Sequence, residues 1–190
     1  MSKKEIKRKT FYIDDDEDKP ITAGGVIIYR FGKKGMELLL VESRGTYEDL
    51  GGRVDDEDKN IYTTVSREAY EESNYLLNKS SIKKRIKKKP RFAYAKRSKY
   101  IVYMIESTEE EADLVSKEFG DRELHDDILR KIKWIPLKKF LSNEIVQYKL
   151  NFRLKNAILF NILKDIEKDK KNDFNMFSNK TKSDEKPKKK

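Results

Sequence analysis

The chain of 190 residues contains no cysteine. That absence excludes disulfides, thiolate metal sites and cysteine nucleophiles together, and it suits a reducing compartment. Histidine is nearly missing too. The only one, His125 in RELHDD, leaves no material for a histidine-based triad and reads as an exposed residue. No apolar run approaches the ~20 residues that a membrane-spanning helix needs. The opening stretch MSKKEIKRKT is charged and lacks the apolar segment of a secretory signal, so the chain is expected to be soluble, intracellular and cytoplasmic. There is no GxxxxGK[ST] phosphate loop. Asp56, Asp58 and Asn60 mimic the start of a calcium-binding EF-hand loop, but Ile61 stands where that loop needs glycine and Arg67 where it needs glutamate.

What the chain has in excess is charge, and the charge is segregated. The net value is +10, yet residues 1–10 carry +4, residues 79–99 carry +11 with no acid among them, and residues 180–190 carry +4, so the remainder carries −9. An acidic body with separate basic segments points to a polyanionic partner held near an acidic site. The plainer alternative is that the lysine runs are solvated surface.

Hydrophobic residues are 36% of the chain and fall in periodic stretches, enough for one packed domain with tails. Residues 1–20 read as a basic tail followed by an acidic lead-in loop, FYIDDDEDKP; residues 21–168 as the domain; residues 169–190 as a disordered lysine-rich tail. The domain opens with two β-rich runs, ITAGGVIIYRF and MELLLVESR, joined by GKKG as a hairpin. Ile61, Val65 and Ala69 form an apolar stripe on a helix over about 60–73, with Asn60 as its N-cap. RFAYAKRSKYIVYMIES supplies further strands with KRSK as the turn, and IKWIPL is a short late strand. Leu150, Leu154, Ile158, Ile162 and Ile166 mark a long amphipathic helix. Strands and helices mix without regular alternation, which predicts a layered α/β domain.

One helix carries a conspicuous liability. Glu68, Glu71 and Glu72 crowd its C-terminal half, where the helix dipole disfavours negative charge, and like charges three or four apart repel. Glu68 and Glu72 align on one face with Glu71 beside them. A row of carboxylates in one place is costly unless a cation occupies it, and hard divalent ions such as Mg²⁺ bridge carboxylates to substrate phosphates. Gly51 and Gly52 let the backbone come close, with the Gly51 carbonyl as a further ligand, and Arg67 is set to orient the first glutamate. The alternative is a solvated acidic helix face.

These residues resemble the signature of the Nudix hydrolases, in which a glycine and an acidic loop precede Arg-Glu-x-x-Glu-Glu on a helix. Gly52 matches the leading glycine, and REAYEES matches the helical part through Arg67, Glu68, Glu71 and Glu72, with Ala69 in the apolar slot. AGGVI…LLLV before the motif and WIPLKKF after it are also usual in that family, and the resemblance spans roughly residues 21–140. Three positions depart from the pattern. Asp58, with Glu57 just before it, stands where a glutamate is normal; the interval from Asp58 to Arg67 is one residue longer; and Asn74 replaces a late glycine. The resemblance implies a Nudix-type α/β/α sandwich with a mixed β-sheet and hydrolysis of a diphosphate bond. It also implies one to three Mg²⁺ or Mn²⁺ ions on Glu68, Glu71, Glu72 and Gly51, with catalysis by Glu68, Glu72 and Arg67. Many members add a general base outside the motif, for which Glu118, Glu123, Asp126 and Asp127 are the candidates.

The basic strip after the motif suggests the substrate. Lys83, Lys84, Arg85, Lys87, Lys88, Lys89 and Arg91, with Phe92, Tyr94 and Tyr100 interleaved, suit a nucleic-acid surface, although the aromatics fit strand core positions equally well. The leading expectation is hydrolysis of the 5′ cap of RNA, an activity known in the large-DNA-virus branch that this lysine- and asparagine-rich chain resembles; the compartment would then be the host cytoplasm. The alternatives are a small polyanionic substrate, such as a dinucleoside polyphosphate or a diphosphoinositol polyphosphate, and an RNA-binding module without turnover.

Overall fold

A computed structural model describes residues 9–33, 35–88 and 91–183. The chain begins with a hairpin, β1 (Phe11–Ile13) and β2 (Asp16–Ile21), paired antiparallel. The acidic run expected as a loop is therefore structured. Asp14 and Asp15 both adopt positive φ, 51° and 59°. That is the pair of left-handed residues a tight two-residue hairpin turn requires, and aspartate tolerates it.

The main sheet is built on β3 (Ala23–Gly32). On one side β3 lies parallel to β8 (Tyr100–Glu106), which in turn pairs with β7 (Arg91–Ala95). On the other side its first half pairs with β6 (Leu50–Arg53) and its second half with β4 (Gly35–Ser43). β4 also pairs with β5 (Thr46–Glu48) and with β9 (Lys131–Pro136). One parallel contact among antiparallel ones makes the sheet mixed. The KRSK stretch turns the chain from β7 to β8, with Lys99 at φ 51°.

Alternation along the central strands sorts the core onto two faces, as the two-residue strand period dictates. Val26, Ile28, Ile101, Tyr103 and Ile105 face one way, where α1 (Ile61–Glu72) and α2 (Lys79–Lys88) cover them through Val65, Ala69, Ile82 and Ile86. Ile27, Tyr29, Tyr100, Val102 and Met104 face the other way. There α4 (Leu137–Phe140) and α5 (Ala157–Ser183) cover them through Phe140, Leu159, Leu163 and Ile166. A short helix, α3 (Glu109–Asp113), is closed by a capping box at Thr108. The result is the α/β/α sandwich with a mixed sheet that the sequence predicts. Among the described residues no helix is long and apolar enough to cross a membrane.

The last helix differs from its expected pattern. Leu150 and Leu154 are buried but precede the helix, and Ile158 is 57% exposed, whereas Leu159 and Leu163 are fully buried. Asn156 accepts hydrogen bonds from the N–H groups of Ile158 and Leu159 and so starts the helix afresh. A new start resets the angular phase at the first turns, so Leu159 and Leu163 point inward, Ile162 is only partly buried, and Ile166 is buried as expected. The helix continues to Ser183, past the boundary at 168 expected for the domain. The basic stretch 79–88 is likewise a helix, marked by Ile82 and Ile86 four apart. The two interior assignments separate in a stability measurement. Leu159→Ala should cost about 3 kcal/mol through loss of a buried side chain and the cavity left, whereas Ile158→Ala should change stability by less than about 0.5 kcal/mol. Chemical denaturation of the two variants reads the difference, and equal costs would contradict the register described.

Candidate functional site

The acidic helix begins at Asn60, whose side-chain oxygen accepts from the Thr63 N–H at 3.0 Å. It ends where Asn74 and Tyr75 take positive φ, 54° and 69°. Between them, Ile61, Val65 and Ala69 bury one face and leave Glu68, Glu71 and Glu72 along its border.

Arg67 is the hub of this border. Its guanidinium donates to Asp58 Oδ2 at 3.0 Å, to Glu71 Oε2 at 2.9 Å and to the Arg53 carbonyl at 3.0 Å, and it pairs with Glu68 Oε1 at 2.9 Å. Asp58 is buried and also accepts from the Asp55 N–H, while Glu57 is exposed. Burial alone would raise the Asp58 carboxyl, but the Arg67 and Asp55 hydrogen bonds hold it below its ordinary value. Of the two loop acids, Asp58 is thus the structural one, anchoring the loop to the helix.

The glutamates have different surroundings. Glu72 Oε2 accepts from the Gly51 N–H at 2.7 Å. Burial, then the charges of Glu68, Asp49 and Glu123, push its carboxyl well above the ordinary value. Glu68 lies flat against Gly52, where any side chain would overlap its carboxylate. Burial pushes Glu68 up to about 7 despite the Arg67 guanidinium beside it. Gly51 in turn backs onto Gly25 so closely that a Cβ on either would collide with the other strand.

Beneath this double-glycine crossing is a buried polar group that motif reading missed. Asp49 is 1% exposed and accepts from the Tyr100 hydroxyl at 2.5 Å, while its other oxygen has no hydrogen-bond partner among the described residues. The Arg153 guanidinium stacks over the Tyr100 ring and pairs with Glu48 at 2.9 Å. Asp49 directly precedes the Leu50-Gly51-Gly52 run of β6, which is the sequence signal that could have found it; Tyr100 and Arg153 are distant in sequence and carry no local signal.

The four candidate bases separate by position. Glu123 lines a cleft of about 200 Å³ together with Glu72, Arg130, Arg44 and Ser43, and burial raises its carboxyl. Glu118 is exposed and accepts from the Val115 N–H. Asp126 and Asp127 are exposed, Asp127 pairing with Arg122 at 3.0 Å, and His125 is exposed as expected. The Glu123 loop is held by Asn74. Its amide donates to the carbonyls of Phe119 and Arg122, both at 2.8 Å, and its oxygen accepts from the Leu124 N–H at 2.9 Å. The departure from glycine at this position therefore keeps the left-handed helix end and adds an anchor for the loop.

The basic residues divide as well. Lys84, Lys87 and Lys88 are exposed on α2, while Lys83 donates to Thr63 Oγ1 at 2.9 Å. Arg85 is bonded to the Glu111 carboxylate and the Glu106 carbonyl. Arg91 lies near Asp169 at 3.6 Å, and Lys89 lies outside the described residues. The interleaved aromatics take the core alternative: Tyr100 is buried, and Phe92 and Tyr94 pack partly buried against the α1 face.

A family model described as the NUDIX domain matches residues 19–154. The chain belongs to the Nudix family. It is accordingly a hydrolase of pyrophosphate bonds. Among solved structures, a C. elegans Ap4A hydrolase in a binary complex is 17% identical with a TM-score of 0.47, covering 76% of this chain and 97% of that one. The Nudix domain of Shewanella oneidensis NrtR, complexed with ADP ribose, is 14% identical with a TM-score of 0.46, covering 76% and 86%. No curated protein matches the chain.

Whether the Nudix helix suits a divalent ion can be judged from its own chemistry. Among the described residues no three acidic side chains stand close enough to form a ready-made cation cage, because Arg67 holds Glu68 and Glu71 while Glu72 is turned onto Gly51. The donors nonetheless fit. Glu68 and Glu72 are hard oxygen ligands, and both are disfavoured as anions by their surroundings, a penalty that a bound cation relieves.

Two measurements follow. A carboxyl raised in the folded state keeps protons that the unfolded chain releases near its ordinary value, so Glu68 weakens the metal-free protein as pH rises from about 4.5 to about 7, and Glu72 acts in the same direction. Mn²⁺ should therefore raise the melting temperature more at pH 8 than at pH 5.5, by an amount equivalent to about 2.7 kcal/mol at a hundredfold excess over Kd. Glu72→Gln should shrink that shift while stabilising the metal-free form at pH 8. Thermal melts with no Mn²⁺ response at either pH would refute the assignment. Separately, Asn74→Gly keeps a residue at ease with positive φ but removes three hydrogen bonds to the Phe119–Leu124 loop. It should cost about 2 kcal/mol and raise amide exchange across that loop, whereas an unchanged exchange pattern would deny Asn74 its anchoring part.

Proposed function

We propose that this Nudix hydrolase cleaves the triphosphate bridge of the 5′ cap of RNA in a reaction dependent on Mg²⁺ or Mn²⁺. Glu68 and Glu72 are the central metal ligands, joined by Glu71 and the Gly51 carbonyl. When bound, the ions supply Lewis-acid polarisation of the phosphate and a nucleophilic water. Arg67 orients Glu68 and Glu71 through charge-assisted contacts to both carboxylates. Glu123 accepts the proton of the attacking water, a part that suits a carboxyl raised by burial at the cleft it shares with Glu72. A new oxygen–phosphorus bond forms, the bridging one breaks, and a nucleoside diphosphate leaves.

The observation that carries the substrate reading is the course of α2. It turns back after α1 so that Lys83 meets Thr63 and Lys87 lies over the Tyr62 ring at 5.6 Å. The exposed Lys84, Lys87 and Lys88 therefore lie on a helix packed beside the first turn of the helix that bears the carboxylates. A strand whose capped end enters the carboxylate site would lie along α2. A second reading, a small polyphosphate substrate, is favoured by the modest size of the cleft beside Glu72.

Product analysis with Mg²⁺ or Mn²⁺ across capped RNA, cap analogue, dinucleoside polyphosphates and diphosphoinositol polyphosphates tests both, with Glu72→Gln as the inactive control. Nucleoside diphosphate is expected from long capped RNA in preference to the short substrates. Affinity for RNA should fall with salt at a log–log slope of roughly −0.7 per neutralised phosphate. The triple change Lys84, Lys87 and Lys88 to Gln should weaken RNA binding and spare hydrolysis of a small diphosphate. Equal loss on both substrates would remove the strip from the mechanism.

A further inference from the structure

Arg130 immediately precedes the last sheet strand, β9, and is 4% exposed. Its Nη1 donates to the Phe119 carbonyl at 3.1 Å, and its Nε and Nη2 are buried with no hydrogen-bond partner among the described residues. It forms no ion pair among the described residues, although Glu72 and Glu123 line the same cleft and their charges act on it. A guanidinium taken out of water with two donors unmet is costly unless something anionic meets them. Arg44 stands exposed on the rim of that cleft, held at φ 50° and making no hydrogen bond or ion pair among the described residues. The cleft is thus lined by acids, Glu72, Glu123 and Glu48, together with two arginines.

We propose that Arg130 is a substrate-binding residue whose free guanidinium edge grips a phosphate of the diphosphate linkage, with Arg44 as its outer partner. The planar fork of arginine matches two phosphate oxygens at once, which lysine does not. A phosphate held there lies in the same cleft as Glu72 of the carboxylate helix. Arg130 also ties the Glu123 loop through Phe119, so filling its free edge couples substrate arrival to the position of Glu123. This deepens, and rests on, the reading of the carboxylate site as one that cleaves pyrophosphate bonds.

The test uses inorganic pyrophosphate as probe, titrated calorimetrically into the full-length protein in EDTA and again in Mg²⁺. Wild type is expected to bind in at least one condition. Arg130→Gln should weaken binding tenfold or more, Arg130→Lys should recover part of the loss, and Arg44→Gln should cause a smaller loss that fades at high salt. Melting temperatures accompany each variant. If Arg130→Gln fails to fold, the Lys variant carries the comparison, since it keeps the charge and loses the fork. With a hydrolysed substrate, KM should rise more than kcat falls. A fall in melting temperature with pyrophosphate affinity unchanged would reduce Arg130 to a loop tie and overturn the proposal, as would a wild type that binds no pyrophosphate in either condition. Pyrophosphate binding that depends on Arg130 in a protein that hydrolyses nothing would uphold this site and sink the enzymatic reading instead.

Discussion

Four oxygen-bearing groups converge on the Arg67 guanidinium: the Asp58, Glu68 and Glu71 carboxylates and the Arg53 carbonyl. Without that cation, a row of acids at the negative end of a helix would repel both one another and the dipole. With it, the loop after β6 and the helix α1 become one unit. Asp58 is the buried end of that unit and the acids are its working edge. The longer Asp58–Arg67 interval is accommodated because the contact is made by a long, forked side chain, which reaches where a rigid backbone contact would not.

A second constraint operates on the other side of the carboxylates, where two strands approach more closely than any side chain allows. Gly25 and Gly51 face each other across β3 and β6, and Gly52 leaves the surface against which Glu68 lies. Below them Asp49, Tyr100 and Arg153 join the two layers of the sandwich. Tyr100 belongs to the core face packed by α5, while Asp49 feels and adds to the charge of Glu72 on the opposite side. The acid site is therefore held from both faces of the sheet.

The third contribution comes from the segment between β8 and β9. Asn74 at the end of the acidic helix binds this segment by three hydrogen bonds and brings Glu123 to the cleft beside Glu72, and Arg130 follows just before the next strand. A position that usually needs only backbone freedom here supplies both that freedom and a tether. The helix α2 meanwhile separates its residues by face. Ile82 and Ile86 go to the core, Arg85 to Glu111, and Lys84, Lys87 and Lys88 to solvent.

Local pattern was sufficient to read the acidic helix with its Asn60 cap, the β3–β4 hairpin and the KRSK turn, because each is decided by residues within a few positions of one another. The Arg67–Glu68–Glu71–Glu72 group was legible for the same reason: helix periodicity alone sets those side chains side by side. The hairpin at Asp14–Asp15 and the first turns of α5 were misread because a pair of left-handed aspartates and a cap at Asn156 reset the geometry without altering the hydrophobic count. Only the tertiary structure set Glu123 in the cleft with Glu72 and left the other three acids exposed, separated Asp58 from Glu57, and assembled Asp49 with Tyr100 and Arg130 with Glu72. Those partners are brought together by the sheet rather than by the chain, and burial, which sets their charge and their need for a partner, is a property of the packed molecule and not of any segment within it.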